Sequence, residues 1–454
     1  MTLTRRIIFI LSSLLVAASA FGQAKKDNRL TFPKIEYTHR TLSNGMEVYS
    51  IPDHSSPTVA IQVWYRVGSK DDPPGRSGFA HLFEHIMFKS TKHMADEQMD
   101  RLTEDVGGGN NATTRDDATQ YFEIIPSNYL ETLLWAEGER LGSLSVNEKN
   151  FQSERDVVKE EYRFRVLSQT YGLFYNAIDK DSFAVHPYKR PGIGSIEDLD
   201  AATIADVQQF HRTYYRPDNA VRVVAGDFDQ KQLDAWIDRY LGVVPKPSTP
   251  IPRVTVKEPT RTEEKRFTEY GANVPLPAVG ITWLTPAASE DDSYPLAVVA
   301  ELLGTGESSR LYRSLVYRDK IAQDIAAYSD SREDAGLFVV MAFLASEHTP
   351  EEAEKTLLAE VAQLAKTPPP DAELEKAKNL IITSALRRRQ TNEGKAEALG
   401  NSAVVNHDAE EANIGLAKLQ AVTPKDVQRV VAKYLGDGKP VVITYSQKPE
   451  GAKP

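Results

Sequence analysis

The feature that most constrains the fold of this chain is a helix-and-strand pattern that occurs twice. In the first copy, Thr203 opens the segment TIADVQ, and Tyr214 follows eleven residues later, ahead of an apolar strand. In the second copy, Thr423 opens TPKDVQ, and Tyr434 follows at the same interval, ahead of a strand over residues 441–445. Thr is favourable at a helix N-cap, and an Asp in the first turn interacts well with the helix dipole. The repetition predicts two copies of one domain.

A proline-rich stretch separates the two copies. Residues 243–264 mix prolines with charges and are predicted to link a first domain over residues 30–242 to a second domain over residues 265–450. A mature chain of about 430 residues is too long for one hydrophobic core, in agreement with this division. Alternating apolar strands at 59–67 and 278–284 each precede a helical segment. Strands and long helices are therefore mixed in each half, and the predicted fold class is α+β.

A candidate metal-binding helix lies in the first copy, where residues 81–85 read HLFEH. His81 and His85 are four residues apart, so on an α-helix both imidazoles can face one ion. Glu84 lies at the edge of the same face, where it can accept a proton from an attacking water. The order H-x-x-E-H is that of a catalytic zinc motif, although two unrelated surface histidines would give the same pattern. A catalytic zinc needs a third protein ligand, and an oxygen donor is expected because the chain has no Cys.

Candidates for the third ligand lie on a predicted charged helix over residues 147–169, a segment without Pro or Gly. Glu154 and Glu161 are seven residues apart, which is two helical turns, so their side chains face the same way. Glu160 points about 100° away from Glu161. A Glu-rich helix face is usually just solvated, so this segment alone does not identify a ligand.

The second copy lacks the metal motif. The offset between the two alternating strands places Ala300 and Gly304 opposite His81 and His85. Neither of these side chains can bind a metal, so the second copy is predicted to have no metal site.

Several segments together resemble one family of metallopeptidases. Residues 154–161 match the E-R-x-V-V-x-E-E helix of that family, and residues 108–121 closely match its segment G-G-x-x-N-A-x-T-x-x-D-x-T-x-Y. The turn at 42–46 and the YRPDN stretch at 215–219 also fit. The chain resembles peptidase family M16, the pitrilysin- or inverzincin-type zinc metallopeptidases, in the short-chain branch that includes mitochondrial processing peptidase. The resemblance runs from about residue 42 to residue 445.

The resemblance implies roles for particular residues. Glu161 would be the third ligand of one Zn²⁺ per chain, and Glu154 would be a catalytic-site carboxylate that helps to hold a ligand imidazole. The substrate would bind as an added strand beside Asn111, Ala112 and Thr113. The two domains would be homologous α/β rolls that form one half of a clam-shell chamber around the peptide.

One part of the family pattern is missing. Active members carry an Arg and a Tyr seven residues apart in the second domain, whereas this chain has Val316 and Gln323 at these positions. A shifted register would bring Arg318 or Tyr317 into use, but the flanking match argues against it. The resemblance therefore implies a dimer. A heterodimer with a homologous subunit that lacks zinc accounts best for the missing pair, and a homodimer stays open.

The first residues predict export. Two arginines precede an apolar run over residues 7–16, and small residues allow cleavage after Ala20 or Ala24. We expect residues 1–24 to be a cleavable signal peptide and the mature protein to be periplasmic. No later run approaches the ~20 apolar residues of a membrane span. The formal net charge of −10 argues against nucleic acid as a partner.

The leading hypothesis is a zinc metalloendopeptidase that hydrolyses unfolded peptides. An alternative is a non-catalytic structural or peptide-binding subunit of a larger assembly, although such subunits tend to lose ligands and all four motif residues are present here. A zinc hydrolase with a non-peptide substrate is hard to reconcile with a resemblance along the whole chain.

Overall fold

The computed structural model describes residues 30–449. Lys34–Pro454 is one compact unit, of which the structure describes residues 34–449. Residues 30–33 contain no helix or strand. The predicted signal peptide, residues 1–24, lies outside the described residues. Within the described part of the chain, none of the helices has both the length and the apolar character that a membrane span requires.

The first sheet contains six strands, all from the first half of the chain. They are β1 (Thr38–Thr41), β2 (Glu47–Pro52), β3 (Thr58–Tyr65), β4 (Gly109–Thr114), β5 (Thr119–Pro126) and β6 (Ala220–Gly226). Their order is β1-β2-β6-β3-β5-β4, with β2 and β6 parallel and the other pairs antiparallel. Strand β4 is therefore an edge that pairs, among the described residues, with β5 alone.

The second sheet contains five strands from the second half. They are β7 (Lys265–Gly271), β8 (Ala278–Thr285), β9 (Ala322–Asp330), β10 (Gly336–Leu344) and β11 (Val441–Gln447). Their order is β7-β11-β8-β10-β9, with β7 and β11 parallel. Apart from β1, this order repeats that of the first sheet strand by strand. The predicted duplication and the α+β class are confirmed.

Helices flank both sheets. In the first half they are α1 (Phe79–Ile86), α2 (Gln98–Glu104), α3 (Leu130–Ser143), α4 (Glu148–Tyr162), α5 (Gly172–Ser182), α6 (Ile196–Ala201), α7 (Ile204–Tyr214) and α8 (Gln230–Tyr240). In the second half they are α9 (Ser293–Gly304), α10 (Pro350–Lys366), α11 (Asp371–Arg388), α12 (Asn392–Val405), α13 (Glu411–Ala421) and α14 (Pro424–Val430).

The two helices before the last strands begin in the same way. The hydroxyl of Thr203 accepts a hydrogen bond from the backbone N–H of Asp206 at 3.3 Å, and Thr423 accepts one from Asp426 at 3.2 Å. Each Asp side chain in turn accepts from the backbone N–H of its Thr. Both predicted N-caps are thus capping boxes, a reciprocal pair of bonds that fixes the start of a helix.

One helix from each half packs on the sheet of the other half. Helix α12 packs on β3 and β6, where Leu399 joins Trp64 and Val223 in one buried cluster. Helix α5 packs on β7, β8 and β11, where Phe174 joins Tyr445 in another. The two halves therefore share their cores instead of meeting as separate domains, which the sequence pattern did not predict.

Candidate metal centre

Helix α1 presents two histidines because its opposite side is buried. Leu82 and Phe83 are fully buried in the core between the helix and the first sheet. The hydroxyl of Tyr121 in β5 donates a hydrogen bond to the backbone carbonyl of Phe83 at 3.0 Å. With the helix held in this way, His81 and His85 remain on the side that faces α4.

Helix α4 supplies the carboxylates. It begins where the Asn147 side chain accepts from the backbone N–H of Asn150 at 3.0 Å. It ends at Tyr162 and continues as a π-helical turn, Arg163–Leu167, so the predicted α-helix over residues 147–169 is too long. As the periodicity predicts, Glu161 faces α1, whereas the side chain of Glu160 is 73% exposed.

Three donor atoms from the two helices converge. Nε2 of His81 lies 3.6 Å, and Nε2 of His85 3.3 Å, from Oε2 of Glu161. Ligand atoms that lie 2.0–2.1 Å from a tetrahedral zinc are separated by about 3.4 Å. The three side chains therefore fit a zinc ion in both donor type and spacing. Within the described residues, they are the only group of three His, Asp or Glu side chains whose donor atoms all lie within 4.8 Å of one another.

The surroundings act differently on the two imidazoles. Burial lowers the pKa of His81, which favours the neutral form that binds metals. Burial also acts to lower the pKa of His85, but the nearby carboxylates of Glu154 and Glu161 outweigh it and raise the pKa to about 9. The carboxylates that raise this pKa make the surroundings of His85 negative, which also suits a divalent cation.

Glu154 lies beside the donor group and is not part of it. Its Oε2 is 3.7 Å from Nδ1 of His85, longer than a hydrogen bond but within the distance of an ion pair. Its Oε1 accepts from Nζ of Lys89 at 2.8 Å and from the hydroxyl of Ser153 at 3.0 Å. This position suits a carboxylate that orients a ligand imidazole, although the role itself stays a prediction.

Glu84 has an available carboxylate. Its side chain is half-buried and forms no hydrogen bond or ion pair with any described residue. Its charge lies close enough to act on the pKa of both His81 and His85. An unpaired carboxylate beside the donor group is free to accept a proton.

A buried acid caps the helix that carries the histidines. The carboxylate of Asp72 accepts from the backbone N–H of Gly78 at 2.6 Å and from that of Ala80 at 2.9 Å. Gly78 has a φ of 92°, and a Cβ there would lie 2.8 Å from the carbonyl oxygen of Ile193, so this turn requires glycine. Burial raises the pKa of Asp72 to about 7, so the cap depends on these two hydrogen bonds more than on a full negative charge. Asp72 therefore fixes the first turn of α1, which contains His81.

The predicted substrate residues lie on the free edge of the first sheet. Asn111 and Thr113 in β4 are exposed, and Ala112 between them is buried. Helix α1 packs against this strand, and the Thr114 hydroxyl lies 3.5 Å from the carbonyl oxygen of Ala80. The edge strand thus passes beside the helix that carries the histidines, but substrate binding by these residues stays a prediction.

The positions of the missing Arg and Tyr lie at the edge of the second sheet. Val316 is half-buried in the π-helical turn Tyr312–Arg318, and Gln323 is exposed on the edge strand β9. The guanidinium of Arg318 forms an ion pair with Asp319 at 2.7 Å. Arg318 is therefore engaged within its own turn.

The second copy has no space for the metal ligands of the first. Helix α9 occupies the place of α1, with Ala300 buried and Gly304 at its end. A Cβ on Gly304 would lie 2.5 Å from the backbone nitrogen of Ala327 in β9. A histidine therefore does not fit at this position without a shift of the backbone.

Sequence reasoning missed three charged residues around the site: Asp72, Lys89 and Arg165. Nη1 of Arg165 lies 3.0 Å from Oε1 of Glu161. These two residues are four apart, a spacing at which charged pairs meet on a helix, so the pair could have been proposed. Asp72 and Lys89 lie outside the helices whose groups they bind, and no local spacing identifies them.

The structure thus has an H-x-x-E-H helix, a motif known from zinc metallopeptidases, in the first of two copies of one domain. The family model "Insulinase (Peptidase family M16)" matches residues 47–192, and "Peptidase M16 inactive domain" matches residues 201–381. The chain belongs to peptidase family M16, as the resemblance predicted.

Individual relatives agree with this membership. Zinc protease PqqE of Helicobacter pylori is 31% identical over 376 residues, which are 82% of this chain and 83% of that protein. The probable mitochondrial-processing peptidase subunit beta of Arabidopsis thaliana is 25% identical over 423 residues, 91% of this chain and 78% of that protein. The crystal structure of a protease from Helicobacter pylori matches with a TM-score of 0.87 and 27% identity, covering 90% of this chain and 99% of that chain. These relatives support a peptidase-like function.

Proposed function

We propose that this protein is a zinc-dependent endopeptidase that hydrolyses unfolded peptides, with one zinc held by His81, His85 and Glu161. The observation that carries the proposal is the convergence of two imidazole nitrogens on one carboxylate oxygen, at 3.3 and 3.6 Å. The unpaired carboxylate of Glu84 beside them adds the base that such a reaction needs. The name of the Helicobacter pylori relative, zinc protease, supports the same metal.

The residues would divide the reaction among them. His81, His85 and Glu161 would hold the zinc, which would supply a Lewis acid for the water and for the carbonyl group of the scissile bond. Glu84 accepts a proton from the attacking water and delivers a proton to the leaving amine. Glu154 keeps the His85 imidazole oriented, and Lys89 in turn holds the Glu154 carboxylate in place at 2.8 Å.

The peptide would bind along the free edge of β4. Among the described residues this edge has no strand partner, and the backbone groups of alternate residues in an antiparallel strand face away from its one neighbour. Of Asn111, Ala112 and Thr113, Ala112 turns its backbone groups to the free edge; its N–H donates to Oδ1 of Asn111 at 2.8 Å, a bond that an incoming strand would replace. Main-chain pairing of this kind gives affinity with little dependence on sequence. Pairing of this kind requires an extended peptide, so we expect a preference for unfolded substrates.

A partner subunit and an exported location complete the proposal. Val316 and Gln323 supply neither the charge of Arg nor the hydroxyl of Tyr, so we propose a dimer, with a homologous subunit without zinc as the second member. The signal-like residues 1–24 support a periplasmic location. The alternative is a non-catalytic peptide-binding subunit. The missing Arg and Tyr favour this alternative, whereas the intact group of His81, His85 and Glu161 argues against it.

The metal assignment predicts one zinc per chain and its loss in Glu161→Gln. The amide of Gln is neutral and a poor ligand, and two ligands rarely hold a catalytic ion. Metal content of the purified mature protein is the measurement, with Glu160→Gln as matched control because that neighbouring side chain is 73% exposed. Removal of the metal with a chelator should also stop peptide cleavage, and added zinc should restore it. Unchanged zinc content in Glu161→Gln would remove this residue from the site.

The cap on α1 predicts that Asp72→Asn lowers the free energy of unfolding by about 1–3 kcal/mol and speeds the release of zinc. An Asn side chain can accept only one of the two backbone hydrogen bonds and turns its NH₂ group toward the other N–H. Denaturant unfolding and the rate of zinc transfer to a chelator measure the two effects. Asp426→Asn is the control, since Asp426 caps a helix in the second half. Equal zinc release from both variants would contradict a role of Asp72 in positioning His81.

A further inference from the structure

Two cavities, of about 470 and 410 Å³, meet where the end of strand β4 approaches helices of the second half. Both are lined by Arg115, Arg389, Ala398 and Asn401, and Arg388 lines the smaller one. Arg115 directly follows β4, the two other arginines lie at the end of α11, and Ala398 and Asn401 belong to α12. Three guanidinium groups from two distant parts of the chain are therefore brought to one place.

The acidic side chains that line these cavities are already paired with other cations. Each forms an ion pair, at 2.6–3.2 Å, with a Lys or Arg other than Arg388 or Arg389; the acids are Asp116, Asp117, Asp330, Glu397 and Glu411. The charges of Arg388 and Arg389 are thus left without a counter-ion among the described residues.

Arg389 is the less satisfied of the two. Its Nη1 is buried and has no hydrogen-bond partner in the described part of the chain. Arg388 donates to the neutral hydroxyl of Ser384 at 2.8 Å. Burial, and then the charge of Arg388, lower the pKa of Arg389. Cations are favourable at the C-terminal end of a helix, which accounts for arginines there but not for a buried N–H without an acceptor.

We propose that Arg389, together with Arg388 and Arg115, forms a binding site for an oxyanion, that is, a carboxylate or a phosphate group. The planar guanidinium group matches both groups with two parallel hydrogen bonds. The pair of Arg115 with Glu397, at 3.2 Å, has side chains that are 47% and 41% exposed. An exposed pair of this kind is weak, so an incoming anion can compete for Arg115.

The oxyanion has two sources. One is an acidic residue of a peptide bound along β4, an inference that rests on the proposed function. Every second side chain of such a peptide points to the side of the sheet that α12 covers, and Arg115 lies on that side, 5.9 Å from the centre of the Trp64 ring. The other source is a free anion, which requires neither a peptide nor cleavage.

The first arm of the test is calorimetric titration of the mature zinc-loaded protein with inorganic phosphate, at constant ionic strength set with chloride. We expect Arg389→Gln to weaken phosphate binding by about 10-fold or more. Arg387→Gln, an exposed charge on the same helix outside both cavities, should leave it unchanged. Arg389→Lys keeps the charge but loses the two parallel N–H donors of the guanidinium group. If Arg389→Gln does not fold, an intermediate loss of phosphate binding in Arg389→Lys supports the site.

The second arm compares two unstructured peptides that differ by one Glu→Gln exchange, bound to the non-cleaving Glu84→Gln variant. Tighter binding of the Glu peptide by about 10-fold, lost on adding Arg389→Gln, identifies a substrate residue as the source. Phosphate binding that depends on Arg389, without a difference between the peptides, identifies a free anion. If wild type and Arg389→Gln bind phosphate equally and bind the two peptides equally, the proposal of an oxyanion site is wrong. The phosphate arm does not depend on peptide cleavage, so it stands even if the peptidase proposal fails.

Discussion

Replacing Glu84 with Gln is expected to reduce peptide cleavage by about 10²–10⁴-fold while zinc content and fold are unchanged. Gln has nearly the same size as Glu, but its amide cannot accept the proton of the attacking water. The Glu84 carboxylate forms no hydrogen bond or ion pair with a described residue, so the exchange breaks no contact that supports helix α1. Loss of activity would therefore report on proton transfer and not on the stability of the site.

The measurement is turnover of an unstructured peptide at equal zinc occupancy, with thermal unfolding recorded for each variant. Glu160→Gln is again the matched control, because it removes the same charge from the exposed side of α4. Near wild-type turnover in Glu84→Gln would refute the role of this residue as general base. A parallel loss of zinc would instead assign Glu84 to the metal itself.

The mature chain alone is expected to be weakly active or inactive, and to gain about 10²–10³-fold in activity with a homologous subunit that supplies an Arg and a Tyr. Zinc and a base can activate water, but the peptide also needs donors on its far side to hold it and to stabilise the tetrahedral oxyanion. Val316 and Gln323 cannot replace the charge of Arg and the hydroxyl of Tyr. In addition, the family resemblance implies that the chain forms one half of a chamber, and such a half needs a second one to enclose a substrate.

The test compares cleavage of a peptide library by the chain alone with cleavage by the chain mixed with a candidate partner subunit. The double variant Val316→Arg, Gln323→Tyr offers a second test, because it should recover part of the activity without the partner. Full activity of the unmodified chain in isolation would refute the need for a partner. A loss of that activity in Tyr317→Phe or Arg318→Gln would then identify the local substitute.

The convergence of His81, His85 and Glu161 could be predicted in part from the sequence because helical periodicity encodes which side chains share a face. His81 and His85 lie one turn apart, and Glu154 and Glu161 two turns apart, so each pair shares a helix face whatever the rest of the fold does. The duplication was visible for a similar reason, since the capping signals at Thr203 and Thr423 are local. The family resemblance then joined the two helices into one site.

The remaining features depend on contacts between segments that are distant along the chain. Asp72 reaches α1 from a loop, and Lys89 reaches Glu154 from beyond the end of its own helix, so neither has a diagnostic spacing. The end of α4 at Tyr162 was missed because residues 163–169 contain neither Pro nor Gly, and the π-helical turn continues directly from the α-helix. The exchange of α5 and α12 arises from packing of whole helices on sheets. Periodicity predicts which face of a helix is buried, but not which sheet that face packs on.

The exchanged helices also set the order in which the protein can mature. Until residues 392–405 have been synthesised, the first sheet lacks α12, and apolar residues such as Trp64 and Val223 have no cover. The half that carries the metal donors is thus translated first but completed by one of the last segments to be made. Every newly made chain therefore passes through a long stage in which the core beneath α1 has been synthesised in full while the other side of the first sheet is still uncovered.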